Sequence, residues 1–328
     1  MSLWRGMYNS QKIVCITGCL GFIGAYVTRQ ALKKGWFVYG VDKVTHVSNV
    51  TNCLDEFNKY ENFKFIKEDI AKLQNLVDCD YVINLAAESH VENSIVNSGA
   101  FMHSNVLGVE NLLNIIKNKS SDSIKRPVFF QISTDEVYGD IEKGAHTESD
   151  LLKPSNPYSA SKASADLMIQ AWSRTYGLDY VILRPTNNYG IGQYPEKLIP
   201  LCVKNLNRGK RIRLHNQGTP IRTWLHASDT ASAIIHIIEN NIKNEIFNVS
   251  GQCEQDNLTT VNKILKYYFN SYNFDLTKYI DFSFSRQGQD VRYSLDDSKL
   301  KSTGWREQKT FDDEIENIVS FYKNFFIW

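Results

Sequence analysis

No apolar run in the 328-residue sequence comes near the about 18 residues that a membrane-spanning helix needs. Neither sign of charge is in excess. The 37 basic and 36 acidic residues leave a net charge of +1, which removes any electrostatic case for nucleic acid or an anionic membrane as partner. The opening MSLWRGMYNS lacks the basic-then-apolar order of a secretion signal, so a cytoplasmic location is expected. Cysteine is sparse, at positions 15, 19, 53, 79, 202 and 253, with only Cys15 and Cys19 close together. No CxxC pair frames a zinc site, so no metal is expected and the thiols read as buried and reduced. Linkers, low-complexity tracts and internal repeats are absent as well. What remains is a globular chain, long enough for one large domain or two coupled ones.

What is present is alternation. KIVCIT (12–17), WFVYGVD (36–42), FKFI (63–66), YVINLAA (81–87), VFFQIS (128–133) and YVILRP (180–185) read as strands. Between them apolar residues recur at helical spacing, as in Ile23, Val27 and Ala31, and in Val106, Val109, Leu112, Leu113 and Ile116. Strands apolar on both faces, alternating with helices, predict a parallel sheet covered on each side. That is doubly wound α/β architecture of the Rossmann type. From Asn187 onward glycine, proline and aromatic residues break the pattern, leaving helices near 227–240, 258–269 and 311–326. These predict a smaller, interleaved α+β lobe. The expected division is 1–186 for the sheet domain, with a contribution from about 225–250, and 187–328 for the lobe.

TGCLGFIG (17–24) sets Gly18, Gly21 and Gly24 between the first strand and a helix. Glycines let the backbone approach a pyrophosphate, whose charge the helix N-terminus meets. Asp42, ending the second strand, suits ribose hydroxyls and would repel a 2′-phosphate, so NAD rather than NADP is expected. Asp69, in KEDI, either reaches the adenine end or caps a helix. NPYSASKASAD (156–166) reads as a helix start with Tyr158 and Lys162 on one face. A lysine ammonium beside a tyrosine favours the phenolate, a base near neutral pH. QISTDEVYGD (131–140) puts Thr134, Asp135 and Glu136 at a strand end, either as loop acids in water or as a proton-handling pair.

In this order and at these separations, GxxGxxG, a strand-end threonine and YxxxK resemble the extended branch of the short-chain dehydrogenase/reductase family, over residues 12 to 322. The resemblance implies that Thr134, Tyr158 and Lys162 form a hydride-transfer triad. Tyr158 would deprotonate a sugar hydroxyl, and Lys162 would also hold the nicotinamide ribose. STDEVYG, NLAAESHVENSI (84–95), NNYGIGQYPEKLIP (187–200), IRTWLHASD (221–229) and RQGQDVRYSLDDSKL (286–300) resemble the nucleotide-sugar 4,6-dehydratases, with dTDP-glucose or UDP-glucose as the implied substrate. Oxidation at C4 makes the C5 proton acidic, so a base can take it while an acid protonates the leaving C6 hydroxyl. By resemblance Asp135 is that acid and Glu136 that base, a pair that related 4-epimerases lack.

The same resemblance implies cofactor contacts from Phe22, Ile23, Asp69, Ile70, Ala86 and Ala87. On the substrate side it implies Ser89, Asn187, Lys197, Leu198, Arg222, Asn257 and Arg286, with Glu88 shaping the hexose pocket. His90 reads as structural, and Asn105 either as a backbone-bonding residue or as part of the cofactor environment. Gln287 and Gln289 stand where the family has Pro and His, and His226 where Tyr is usual. Both departures are expected at or near the nucleotide side, leaving thymine versus uracil open. A homodimer through the helix near 100–118 and the helix carrying Tyr158 is also implied. The competing readings are a 4-epimerase and a non-catalytic NAD-sensing module. Modules of that kind tend to lose the Tyr or the Lys, whereas Tyr158 and Lys162 are both present.

Overall fold

The computed structural model describes residues 11–119, 126–285 and 290–325. Arg286, Gln287 and Gln289 lie outside the described residues. The strands of the two larger sheets, in chain order, are β1 (Ile13–Thr17), β2 (Phe37–Asp42), β3 (Phe63–Lys67), β4 (Tyr81–Asn84), β5 (Val128–Ile132) and β6 (Tyr180–Pro185). They continue with β7 (Asn187–Tyr189), β8 (Ile221–His226), β9 (Glu245–Val249) and β10 (Cys253–Asp256). Seven of these form one parallel sheet in the order β9-β6-β5-β4-β1-β2-β3. The strand order reverses between β1 and β4, and in open α/β sheets a ligand crevice opens there, beyond the strands' carboxyl ends.

All six expected strands are present, and β9 is an addition. It pairs with β6 from Glu245↔Val181 to Val249↔Pro185, although only Phe247, Asn248 and Val249 of its five residues are buried. A short strand at a sheet edge carries too little apolar signal to read in advance. The run YVINLAA leaves the sheet at Asn84, so Leu85–Ala87 becomes loop.

The helices that cover the sheet are α1 (Phe22–Lys33), α2 (Gly108–Asn118), α3 (Pro157–Tyr176) and, after α4 (Leu198–Asn207) of the lobe, α5 (Ala227–Glu239). Successive strand side chains point to opposite faces. Val14 and Ile16 accordingly pack with Val27 and Ala31 of α1 and Ile234 and Ile238 of α5. Cys15, between them, packs on the other face with Leu112 and Ile116 of α2 and Ile169 of α3. The lobe has its own core, where α4, α6 (Asn257–Phe269) and α7 (Phe311–Asn324) bring Val203, Ile264 and Ile318 together. A second sheet, β10-β8-β7, borders it.

Two local features bear on the site. A π-helical stretch, Met102–Leu107, runs into α2 and turns Ser104 and Asn105 inward; such stretches concentrate at functional sites. α3 opens on a capping box formed by Asn156 and Ser159 with Pro157 at its first position, and closes on Gly177 at φ 68°.

Five cysteines are buried, Cys253 is half-buried, and none is in a disulfide. Burial pushes the Cys15 thiol up to about 12, which makes it a poor nucleophile. Among the described residues no helix is long and apolar enough to cross a membrane.

Candidate active site

At the β1–α1 turn, Gly18 has φ 67° and its N–H bonds Val41 O at 2.7 Å. A Cβ on Gly18 would stand 2.7 Å from Ala86 N, and one on Gly24 would stand 2.0 Å from Gly18 O. Neither approach leaves room for a side chain, so the glycines let strand, loop and helix close on one another. The helix they open has no side-chain cap and no acid in its first turn. Its positive end is left for an anion.

Gly18, Gly21, Asp42, Asp69, Ile70, Ala86 and Ala87 line one pocket at this turn. Phe22, Ile23 and Gly24 stand in the first turn of α1 rather than on the wall. Asp42 accepts from Leu20 N at 3.1 Å, Val44 N at 2.8 Å and the Ser48 hydroxyl at 3.1 Å. The carboxylate keeps acceptor capacity beyond these three bonds. Asp69 stabilises a turn rather than a helix, with Oδ1 on Ala71 N at 3.0 Å and Oδ2 3.2 Å from His103. A glycine cradle, an uncapped helix start and a strand-end acid together fit a dinucleotide. Gly24→Ala is expected to lower stability by about 1–3 kcal/mol through overpacking and to weaken NAD binding, both checked by thermal unfolding with and without NAD.

The chemical groups gather beyond β5. Thr134 caps a four-residue 3-10 turn, Asp135–Tyr138, accepting from Glu136 N at 3.3 Å and donating to Asp135 Oδ1 at 3.0 Å. Asp135 is 3% exposed, and its Oδ2 has no hydrogen-bond partner among the described residues. Burial, reinforced by the Glu136 charge, pushes its carboxyl up to about 7. Burial raises Glu136 as well, opposed by a bond from Asn156 and by the charges of Arg222 and Lys197. Glu136 opens onto a cleft of about 1330 Å³. The two acids therefore have unlike surroundings.

Tyr158 and Lys162 sit in the first two turns of α3, as expected. Lys162 donates to Ile132 O at 2.5 Å, and burial lowers its ammonium to about 8. Tyr158 is pushed well above the ordinary phenol range by burial and by Glu136 and Asp135, against a bond from Thr134. A phenolate next to two carboxylates needs a further positive charge beside the ring.

Behind Lys162 stands a network that sequence reasoning missed. Asp166, fully buried one turn on, accepts from Ser133 at 3.0 Å and from Arg184 Nε at 2.9 Å. Arg184 also donates to the Tyr138 hydroxyl at 2.7 Å. The signal was an arginine inside the apolar run YVILRP, and a charge in a buried strand needs a partner.

Glu136 shares the cleft wall with Ser89, Asn187, Lys197, Leu198, Arg222 and Asn257. Lys197 donates to Ser89 O at 2.7 Å. The Arg222 guanidinium lies 4.7 Å from the Tyr293 ring centroid. Asn187 Oδ1 is buried with no partner among the described residues. Arg213, stacked 4.7 Å over Phe284, adds a cation that sequence reasoning did not single out. Arg286 lies outside the described residues.

Asn105 takes the backbone-bonding role: it accepts from Glu88 N at 2.9 Å and donates to Glu88 O and to Ser161. His90 caps the short helix Val91–Val96. His226 caps α5 from outside the cleft lining, with Ser228 Oγ at 2.6 Å, and lies edge-on to Tyr26 and Tyr189. Burial lowers its imidazole to about 4. The end of β8 points it into this aromatic cluster.

The GDP-mannose 4,6 dehydratase family model matches residues 15–318. A dTDP-glucose 4,6-dehydratase of Haemophilus influenzae is 37% identical, across 94% of this chain and 97% of its own. The structure of DesIV, a dTDP-glucose 4,6-dehydratase from Streptomyces venezuelae with NAD and TYD bound, has a TM-score of 0.87 at 34% identity, covering 95% of this chain and 97% of that one. A UDP-glucose 4-epimerase of Thermotoga maritima reaches 0.83 at 23% identity, covering 96% and 100%, a likeness of fold alone. The fold is thus common to dehydratases and epimerases, and sequence likeness separates them. The chain belongs to the GDP-mannose 4,6-dehydratase family, within the extended short-chain dehydrogenases/reductases.

Proposed function

We propose that this chain is an NAD-dependent hydro-lyase, a nucleotide-sugar 4,6-dehydratase that converts dTDP-glucose or UDP-glucose to the 4-keto-6-deoxy sugar. The observation that carries this reading is the pair of adjacent carboxyls beside Tyr158, Asp135 sealed and raised to about 7, Glu136 open to the cleft. Epimerisation at C4 has no use for such a pair.

The Gly18 and Gly21 backbone and the α1 N-terminus hold the cofactor pyrophosphate, Asp42 the ribose hydroxyls, and Asp69 with Ile70 the adenine end. When bound, NAD supplies the hydride acceptor for sugar C4 and the donor for C6. Tyr158 takes the C4 hydroxyl proton, with Thr134 orienting that oxygen and Lys162 holding the nicotinamide ribose. Glu136 takes the proton from C5, made acidic by the neighbouring ketone. Asp135 gives its proton to the C6 oxygen, which leaves as water. Glu136 later returns its proton to C5, and the proton gained at Tyr158 balances the one lost from Asp135.

Lys197 and Arg222, with the amides of Asn187 and Asn257, hold the substrate diphosphate. Ser89 and Leu198 border the sugar, and Arg286 is assigned to the same side. Residues 1–186 with about 225–250 serve the dinucleotide, and 187–328 mainly the nucleotide sugar. Incubation with dTDP-glucose and UDP-glucose side by side, following the 4-keto product, tests the reading and ranks the bases. Formation of the C4 epimer alone would overturn it, and any turnover disposes of a non-catalytic module.

The chain is proposed to pair with a second copy through α3 and the helical stretch ahead of α2. Leu107 and Leu167 are 52% and 58% exposed there, apolar side chains that a second copy would cover. Leu167→Glu is expected to convert a dimer to a monomer, read by sedimentation.

A further inference from the structure

We propose that Asn156 is a positioning residue for Glu136, its amide tying the proton-handling pair to the helix that presents Tyr158 and Lys162. The inference rests on the dehydratase reading above.

Asn156 Oδ1 accepts from Ser159 N at 2.9 Å, and Ser159 Oγ accepts from Asn156 N at 3.2 Å, closing the capping box of α3. That bond fixes which end of the side-chain amide is oxygen, because a flipped NH₂ would face the Ser159 N–H. Nδ2 is therefore directed away from the helix, and it donates to Glu136 Oε2 at 3.2 Å. Glu136 is on the turn after β5, and Tyr158 lies two residues past Asn156. One side chain thus sets the separation between the carboxylate and the phenol.

The contact continues into the cleft wall. Asn156 Nδ2 is 3.5 Å from Ser155 Oγ, which donates to Asp290 Oδ2 at 2.5 Å. The Tyr293 hydroxyl donates to the same oxygen, and Arg222 lies over the Tyr293 ring. A cap alone requires only an oxygen, and Asp or Ser caps a helix about as well as Asn. What the amide adds is an N–H donor toward a carboxylate. Such a bond favours the ionised, proton-accepting form.

The test compares Asn156→Asp and Asn156→Ser in the full chain with NAD and dTDP-glucose, since both variants keep an oxygen for the α3 cap. Solvent deuterium entry at C5 is expected to fall about tenfold or more, furthest in Asn156→Asp, where a like charge faces Glu136. Single-turnover oxidation at C4 should stay within about twofold. The acid limb of the pH profile should move to higher pH in both variants. A proportional fall of both steps would reduce Asn156 to a helix cap and overturn the proposal. A carbon-13 carboxyl titration of Glu136 in the resting protein needs no turnover. There the carboxyl should titrate at higher pH in both variants, and an unchanged titration also overturns the proposal. Wild-type protein that exchanges no C5 proton sinks the dehydratase reading instead, and the titration still judges the Asn156 contact.

Discussion

Replacing Glu136 by Gln should abolish solvent proton exchange at C5 and lower turnover by about 10²- to 10⁴-fold, while hydride still leaves C4. The substitution keeps the shape of the side chain and the bond that Asn156 makes to it, since the glutamine oxygen still accepts from Nδ2. It removes the only feature the proposed step needs, a basic oxygen on the cleft wall. The first half-reaction depends on Thr134, Tyr158 and Lys162, which the change leaves in place, so reduced cofactor should accumulate in a single turnover. Deuterium uptake at C5 in heavy water and the absorbance of reduced cofactor separate the two steps. Full turnover in the variant would mean that another group takes the C5 proton.

Asp135→Asn is expected to slow loss of water far more than oxidation, and to do so with a distinct pH signature. Burial and the Glu136 charge hold the Asp135 carboxyl near 7, so wild-type turnover should fall as pH rises through that value and the proton donor is lost. The variant should lose that alkaline limb along with most of its activity.

Stability should change in the opposite direction. An aspartate ionises near 3.8 when unfolded and near 7 in the fold, so between these values the native state holds a proton that the unfolded chain has released. Folding stability therefore falls as pH rises through that window, and above it the folded protein carries a buried charge. Asp135→Asn removes the charge and should raise stability on the order of 1 kcal/mol or more at about pH 8, with little change at about pH 4. Thermal unfolding at the two pH values measures it. A variant less stable than wild type at both would mean that the carboxylate is better solvated than its surroundings indicate. A variant more stable than wild type at about pH 8 would mean that the acid group is held at the expense of stability, a common arrangement at active sites.

The six strands and most helices were legible because each repeats a period of apolar residues that does not depend on distant contacts. β9 was not, since Glu245 and Ile246 stay half-exposed at its start and its identity depends on β6 standing beside it. The glycine turn, Asp42 and the YxxxK pair were legible for a related reason: their chemistry is carried by spacing along a turn or a helix face. The bond from Lys162 to Ile132 O was not legible, because spacing cannot report which partner a buried amine takes, and Ile132 O lies 30 residues away. The surroundings of His226 were not legible for want of the same information. Its neighbours Tyr26 and Tyr189 come from distant segments, and they enclose it away from the cleft.

By itself, the sequence determined the architecture, the cofactor turn and the presence of two acids after a strand-end threonine. Those properties are local, set by side-chain period and by residue types a few positions apart. Only the tertiary structure decided that Asp135 is sealed while Glu136 opens to the cleft, that Asp166 and Arg184 neutralise each other behind Lys162, and that Asn156 reaches across to Glu136. Burial, dielectric surroundings and hydrogen bonds between remote segments exist only once the chain has packed, and they set the proton affinity of each acid.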